Sequence, residues 1–277
     1  MSLFYASLNS GSNGNCYYVG TSNEGVLVDA GIPLKEIEKR ADLLGIDLLT
    51  IKALFITHEH TDHIRGAYKL AKKYALPVYS GTGTINRSYF RWNELQFYPI
   101  AHGVPVNIGA LQLFPFSKQH DAADPYSVVV NFQNRNIGII TDVGTVCENL
   151  KVYFGKCHVV FLESNYDTDL LQSGKYPPYL KARIRGGMGH LSNAQALELV
   201  QNHGHHELKH VLPAHISKEN NRTELVSQVF RELEKNIRID LALRDEASQL
   251  FEINETLEVR PYSTKPENFQ LQMFQNL

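Results

Sequence analysis

The chain has 277 residues, 43% of them hydrophobic and 20% charged, which is enough to bury a sizeable core and too apolar for a disordered segment. With 27 basic against 29 acidic residues the formal charge is −2, so any nucleic-acid contact must rest on a local patch and not on a global field. No run of about 18 apolar residues occurs, the start "MSLFYASLNSG" lacks a basic stretch followed by an apolar one, and Cys16, Cys147 and Cys157 are too few and unpatterned for a disulfide framework; a cytoplasmic protein without a membrane span is expected.

The turn-rich strings "NSGSNGN" and "TSNEG" separate three expected strands, Leu3 to Leu8, Cys16 to Gly20 and Gly25 to Asp29, in an antiparallel start. Pro33 suits the first turn of a helix running to Leu44, with Ile37, Ala41 and Leu44 on one face and Gly45 as its stop. A strand from Lys52 to Thr57 leads into a helix expected to reach Tyr74. The middle reads as strands at Leu95 to Pro99, Leu111 to Phe116, Tyr126 to Phe132, Ile137 to Thr141 and Val159 to Glu163. Ser192 can cap a helix carrying Ala194, Leu197 and Val200, and Leu225, Val229 and Leu233 give helical spacing from Arg222 to Asn236. Strand-like runs follow each, His210 to Ala214 and Ile237 to Leu243. Mostly antiparallel strands interrupted by helices in both halves predict two sheets face to face with helices outside, in one domain over 1–260, with an irregular polar tail over 261–277.

The segment "ITHEHTDH" places three histidines and two acidic residues in eight positions after an apolar run. Imidazole and carboxylate are the donors that zinc, manganese and iron sites use, several converging on each ion. His58 and His60 can point the same way from an extended turn, while Asp62 and His63 begin a helix and face a neighbouring spot, so one turn could feed two ions. A lone histidine here would be an ordinary polar loop residue; the whole string reads better as a site. Further donors stand at the carboxyl ends of expected strands: His120 in "SKQHDAADP", Asp142 in "GIITDVG" and His215 in "HVLPAHIS". A sheet edge can present such residues to one cleft.

These residues resemble the metallo-β-lactamase superfamily, an αββα four-layer sandwich with a dinuclear site, over nearly the whole chain from "LVDAG" at Leu27 to Gly31 onward. The strings "SGSNGN", "HDAADP", "ESN", "GHLSN" and "SKENN" are similar to those of its bacterial YycJ/WalJ/VicX group. The resemblance implies that His58, His60 and His120 hold one divalent ion, that Asp62, His63 and His215 hold a second, and that Asp142 bridges them. It also implies a catalytic role for His190, as donor to the leaving oxygen or as anion clamp, and for Asp62 in orienting the attacking water. A pair of divalent ions of this kind supplies hydroxide at neutral pH and offsets anionic charge, which makes hydrolysis the natural reaction.

The segment "SGKYPPYLKARIRGGMGHLSN" adds Lys175, Lys181, Arg183 and Arg185 with Tyr176 and Tyr179 between them, a basic loop suited to phosphate contacts and base stacking, of which Lys181, Arg183 and Arg185 are the expected substrate-binding residues. Histidines 203, 205 and 206 look like a helix terminus and not a further metal site. The expected function is a metal-dependent phosphodiesterase, a nuclease acting on DNA and exonucleolytic from 5′ to 3′ by the same resemblance. The competing expectations are a small-molecule hydrolase of thioesters, lactams or cyclic phosphodiesters, and a metal-binding regulatory protein without turnover.

Overall fold

Val26, Leu27 and Val28 lie beside Ala53, Leu54 and Phe55 as parallel neighbours, all six fully buried. Continuous apolar runs of this kind belong to strands covered on both faces, as at the centre of each sheet, while the outer strands Phe97–Pro99, Val106–Ile108 and Val259–Pro261 are partly exposed. The computed structural model describes residues 1–88 and 92–263.

Two mixed sheets form. In the first, the strands run in the spatial order Val259–Pro261, Phe251–Ile253, Leu3–Asn9, Cys16–Gly20, Gly25–Val28, Ile51–Ile56, Val78–Ser80 and Phe97–Pro99. In the second the order is Arg238–Ile239, His210–Ala214, Val159–Glu163, Arg135–Ile140, Tyr126–Phe132, Leu111–Ser117 and Val106–Ile108. Each sheet is antiparallel on one side and parallel on the other: the switch comes after Gly25–Val28 in the first and after Arg135–Ile140 in the second. Among the described residues seven strand pairings are antiparallel and six parallel, so the expected antiparallel majority is a narrow one. Crossover helices such as Leu34–Leu44 allow successive strands to run the same way.

Three apolar layers hold the sandwich. Tyr5, Tyr17, Phe55, Val128, Val130 and Phe161 meet between the sheets. Leu34–Leu44 and Ala67–Tyr74 cover the outer face of the first sheet through Ile37, Ala41, Leu70 and Ala71. Glu148–Phe154, Asn193–His203 and Thr223–Phe230 cover the second. The order helix, sheet, sheet, helix is the expected four-layer sandwich, and one central core draws on both halves of the sequence.

Local signals mostly set the boundaries. Gly45 ends Leu34–Leu44 in a left-handed conformation (φ 70°), as its position after the last apolar residue predicts. Ser192 caps Asn193–His203 through a capping box with Gln195. Its buried face is nevertheless Ala196, Leu199 and Val200, not Ala194 and Leu197, because apolar residues occupy two stripes of this helix and packing selects one. Thr223–Phe230 likewise buries Val226 and Phe230 in place of Leu225 and Val229, and its end tightens into a 3₁₀ turn, Arg231–Lys235. The helix expected to run unbroken to Tyr74 is split into Thr61–Ile64 and Ala67–Tyr74 at Gly66. There the Gly66 amide donates to the Ala30 carbonyl, and a Cβ would sit 2.2 Å from the Ile32 oxygen. Pro178–Arg185 is a helix, not the expected loop. Of the expected Ile237 to Leu243 strand only Arg238–Ile239 is regular, although the Asp240 and Ala242 amides still donate to the Val211 and Pro213 carbonyls of the neighbouring strand.

The sheet extends to Pro261, and Tyr262 packs on the Phe4 ring at 4.7 Å, so the expected tail boundary falls inside packed structure; 264–277 lie outside the described residues. No helix among the described residues is long and apolar enough to cross a membrane. Phe161 is fully buried between the sheets, with the Tyr17 ring at 5.0 Å and the Tyr5 ring at 6.1 Å. Phe161→Ala should cost about 3–5 kcal/mol in denaturant unfolding of the full-length protein. A loss below about 1 kcal/mol would mean that this ring does not pin the sheets together.

Candidate metal centre

Parallel strands end on the same edge, and the edge shared by the two sheets collects the polar residues that follow them. Gly25–Val28 ends at Asp29, Ile51–Ile56 runs into Thr57 and His58, Arg135–Ile140 reaches Asp142, Val159–Glu163 ends on its own carboxylate, and His210–Ala214 ends at His215. His120 follows Leu111–Ser117. Asp29, Asp142 and His215 adopt left-handed backbone, with φ of 61°, 56° and 54°. Such conformations are uncommon outside glycine, least so for Asp, Asn and His, and they turn the chain sharply at the strand end. Gly31 lets two loops close on each other: a Cβ there would lie 1.6 Å from the Asp62 carbonyl, which accepts the Asn15 amide at 2.7 Å.

All seven expected ligands come together. His58 Nε2 is 3.1 Å from His60 Nδ1, and His120 Nε2 is 3.4 Å from the same atom. Donors sharing a tetrahedral ion at about 2.0–2.1 Å stand about 3.3 Å apart, so this trio has the spacing of one ion's ligands. Beside it the donors are grouped differently from the expected second trio: His63 Nε2 is 3.1 Å from Asp142 Oδ2 and groups with it and His58, His215 groups with Asp142, Glu163 and His190, and Asp62 Oδ2 stands 3.5 Å from His63 Nε2 and 3.8 Å from His215 Nε2 without those three closing on one point. Asp142 faces both, its Oδ1 standing 3.8 Å from His120 Nε2. His215 Nε2 is buried without a hydrogen-bond partner, and Asp142 Oδ2 meets His63 without hydrogen-bond geometry. Buried polar atoms are ordinarily satisfied, so these open lone pairs fit a cation.

The outer ring nitrogens are held. His63 Nδ1 is 2.7 Å from Asp29 Oδ2, His215 Nδ1 is 2.9 Å from Glu163 Oε1, and His120 Nδ1 is 3.1 Å from the Gly189 carbonyl. Thr57 Oγ1 donates to Asp29 and stands 2.9 Å from His58 Nδ1, whose N–H it can accept. In the neutral ring these acceptors put the proton on Nδ1, so that Nε2 is the nitrogen free to meet an ion. His60 is turned the other way, with Nδ1 inward and Nε2 4.0 Å from Asp121 Oδ1.

Electrostatics divide the histidines. Burial, reinforced by His63, holds His58 well below the ordinary imidazole range, and burial takes His120 down to about 4. Burial acts the same way on His63 and His215, but Asp142, Asp29 and Asp62 outweigh it for His63, and Asp142 and Glu163 outweigh it for His215, so both stand above that range. Burial alone would raise Glu163; His190 and the bond from His215 overcome it and bring the carboxyl to about 2. Buried Lys118 is the fixed cation nearby, donating to the Thr141 carbonyl at 2.6 Å. Several buried carboxylates set against one lysine favour additional positive charge.

His190 is about one-fifth exposed, and its Nδ1 lies 2.8 Å from Glu163 Oε1. Of the basic residues expected to meet substrate, only Arg183 connects to the cluster: its Nε donates to Asp121 Oδ2 at 2.6 Å, and Asp121 Oδ1 is 3.5 Å from His120 Nε2. Lys181 is engaged by the Gln172 carbonyl at 2.7 Å, and Arg185 is exposed on its helix. Asp29, Glu163, Asp121 and Asn15 are the participants that the sequence reading missed. Asp29 and Glu163 stand at strand ends, so the criterion that selected Asp142 and His215 applies to them equally. Asn15 Nδ2 lies 3.1 Å from His63 Nε2 and 3.4 Å from Asp62 Oδ2, and nothing in sequence spacing signals that. His158, His205 and Glu207 also cluster, but the ring Nδ1 atoms of His158 and His205 accept the backbone amides of Asn136 and Glu207, which places the ring protons on Nε2, the nitrogens left to meet an ion.

Asp29→Asn preserves shape and tolerates the left-handed backbone while removing the charge behind His63. Metal affinity, measured by competition with a chromophoric chelator, should fall about 10–100-fold. Unchanged affinity would mean that the ring is fixed by something other than Asp29.

Comparison with known proteins places this geometry in a family. Residues 10–171 match the model of the metallo-beta-lactamase superfamily. The chain is 35% identical to exodeoxyribonuclease YycJ of Bacillus anthracis over 84% of its own length and 90% of that protein's. It is 32% identical to exodeoxyribonuclease WalJ of Streptococcus pneumoniae, over 80% and 84% respectively. Among solved structures, the metallo-beta-lactamase fold protein YhfI from Bacillus subtilis superposes with a TM-score of 0.66 at 14% identity, covering 89% of this chain and 98% of that one. The sandwich, the strand-end cluster and these likenesses agree: the chain belongs to the metallo-β-lactamase superfamily, whose fold implies divalent metal ions.

Proposed function

We propose that the chain is a dinuclear metal-dependent exodeoxyribonuclease that hydrolyses phosphodiester bonds of DNA. What supports the reading most is Asp142, whose two oxygens face two adjacent donor sets, together with relatives named as exodeoxyribonucleases over most of their length. His58, His60 and His120 would hold one ion, Asp62, His63 and His215 the other, and Asp142 would span both. Zinc, manganese and iron all suit these donors. When bound, the ions supply Lewis acidity toward the attacked phosphate and lower the pKa of water toward neutrality.

The chain's own residues do the rest. Asp62 is partly exposed, and the oxygen it turns to the cluster can accept a hydrogen bond from the attacking water and orient it. Glu163 holds the His190 ring by Nδ1, which directs Nε2 toward substrate. From there His190 donates a proton to the departing oxygen or clamps the phosphate. Arg183, with Nε fixed by Asp121, has its remaining guanidinium donors for a backbone phosphate beside the site. Exposed Tyr179 on the same helix offers a ring for a base. A reducing, cytoplasmic setting fits three free cysteines, two of them buried.

Incubating the full-length protein, with added manganese or zinc, with end-labelled duplex DNA, RNA and a small phosphodiester ester tests the proposal. DNA should shorten from its ends; hydrolysis of the small ester without any DNA degradation would favour a small-molecule hydrolase. Asp142→Asn should lower metal content and activity together, read by metal analysis beside the nuclease assay, and full occupancy with normal turnover would remove Asp142 from its bridging position. His190→Ala should keep both ions and lose about 10²–10⁴-fold in turnover. Loss of the ions instead would make it a ligand. Arg183→Ala should weaken long-DNA binding and reduce the slope of log K against log salt by about 1, because one phosphate contact is lost. An unaltered slope would take Arg183 out of the DNA path.

A further inference from the structure

The donors assigned to the second ion arrive from opposite sheets. Asp62 and His63 follow Ile51–Ile56 of the first, and His215 follows His210–Ala214 of the second. Their outer partners do not fix this spacing, because Asp29 stands behind His63 on the first sheet and Glu163 behind His215 on the second. What joins the two sides is a polar chain that the hydrolytic chemistry does not use, running through Ser10, Tyr17 and Asn15, all fully buried.

The bonds of this chain have one direction. Asn15 Oδ1 can only accept, and it takes the Gly11 amide and the Tyr17 hydroxyl, each at 3.1 Å. With its hydrogen committed there, the Tyr17 oxygen must accept from Ser10, whose Oγ is 2.8 Å away. Ser10 Oγ in turn accepts the His215 amide at 2.7 Å. At the other end Asn15 Nδ2 gives one N–H to the Gly11 carbonyl at 3.2 Å and presents the second between His63 Nε2 at 3.1 Å and Asp62 Oδ2 at 3.4 Å. An ion on His63 would take the Nε2 lone pair and leave that N–H to the Asp62 carboxylate. Both hydroxyls therefore accept one hydrogen bond and donate the next, the arrangement in which such bonds polarise one another.

Both ends of the chain grip a donor residue by its backbone. His215 stands in left-handed conformation, φ 54°, with its amide held by Ser10 and its carbonyl by Asn165 Nδ2 at 2.8 Å. The Asn15 amide donates to the Asp62 carbonyl at 2.7 Å. The hydroxyl between them is placed by the core itself, since the Tyr17 ring lies between the sheets, 5.0 Å from that of Phe161. We propose that Tyr17, through Ser10 and Asn15, is a positioning residue that sets His215 against Asp62 and His63 for the second ion, while the His58, His60 and His120 trio stands outside its chain. The inference rests on the dinuclear reading and deepens it, by making affinity at one of the two ions depend on a phenol in the core.

Zinc binding to the full-length protein, stripped of metal and titrated against a chromophoric chelator, tests the proposal without relying on turnover. The unaltered protein should take up two equivalents, and Asp62→Asn identifies the step that belongs to the second ion. Tyr17→Phe keeps the ring and deletes the hydroxyl. It should weaken that step about 10–100-fold, the scale for outer partners of metal ligands, and leave the other step unchanged. Ser10→Ala breaks the chain at its His215 end and should have the same selective effect. The double variant should cost little more than either substitution alone, because both interrupt one chain. The two variants act at separate places, so either decides the question where the other does not fold. Unchanged affinity in both, an equal loss at both ions, or additive losses in the double variant would overturn the proposal and leave the dinuclear reading intact. A single equivalent on the unaltered protein would overturn both.

Discussion

Four of the five inward-facing imidazoles of the cluster, all but His60, are usable only because the other ring nitrogen is occupied. Asp29 behind His63, Glu163 behind His215, the Gly189 carbonyl behind His120 and Thr57 behind His58 all accept from Nδ1, and this single constraint fixes ring orientation, tautomer and the direction of the free lone pair. Without it, several histidines packed within 4.0–6.4 Å of one another would be a set of rotating rings with no common focus. The outer partners must themselves be rigid, and they are: Glu163 is fully buried at a strand end and accepts the Val143 amide at 2.5 Å, and Asp29 accepts the Thr57 amide at 2.8 Å.

That requirement explains the architecture around it. A carboxylate can be buried at a strand end when neighbouring backbone amides reach it, and parallel strands offer a whole row of such ends on one edge. Both sheets turn parallel in the part that delivers most of the site, while the antiparallel portions, Leu3–Asn9 with Cys16–Gly20 and Leu111–Ser117 with Tyr126–Phe132, widen the core and add Asn15 and His120 from their ends. The sheets are linked well away from the cluster by Tyr5, whose hydroxyl lies 2.7 Å from His210 Nδ1, with Asp240 3.0 Å from the opposite ring nitrogen. A histidine on this second network is a structural tie, held by the same pattern of outer bonds turned to a different use.

Sequence carried the centre of the site further than its surroundings. "ITHEHTDH" is legible because its donors are adjacent in the chain, and His120, Asp142 and His215 because each follows an apolar run. Asp29 and Glu163 obey the same rule but are not legible as donors, since supporting carboxylates have no spacing of their own. Pro178–Arg185 reads as a loop because it buries no residue and so has no apolar periodicity, although Pro178 at its first turn is an ordinary helix start. The phases of Asn193–His203 and Thr223–Phe230 depended on which apolar stripe the sheet received, a decision made by tertiary packing. Parallel against antiparallel pairing is likewise invisible in single strands, whose composition is the same in either.

The left-handed backbone at Asp29, Asp142 and His215 has a consequence for how this surface can change over time. Each position demands two things at once, a particular donor and a φ that most side chains resist by about 1–2 kcal/mol. Alanine there would remove the donor and add the backbone penalty together, so its cost would be a sum and not a measure of the side chain. Asparagine and glycine relax the second demand while failing the first. Drift at these three positions is therefore confined to a narrow set of residues, and a descendant that lost the ions would be expected to keep Asn or Gly at these corners long after its histidines had dispersed.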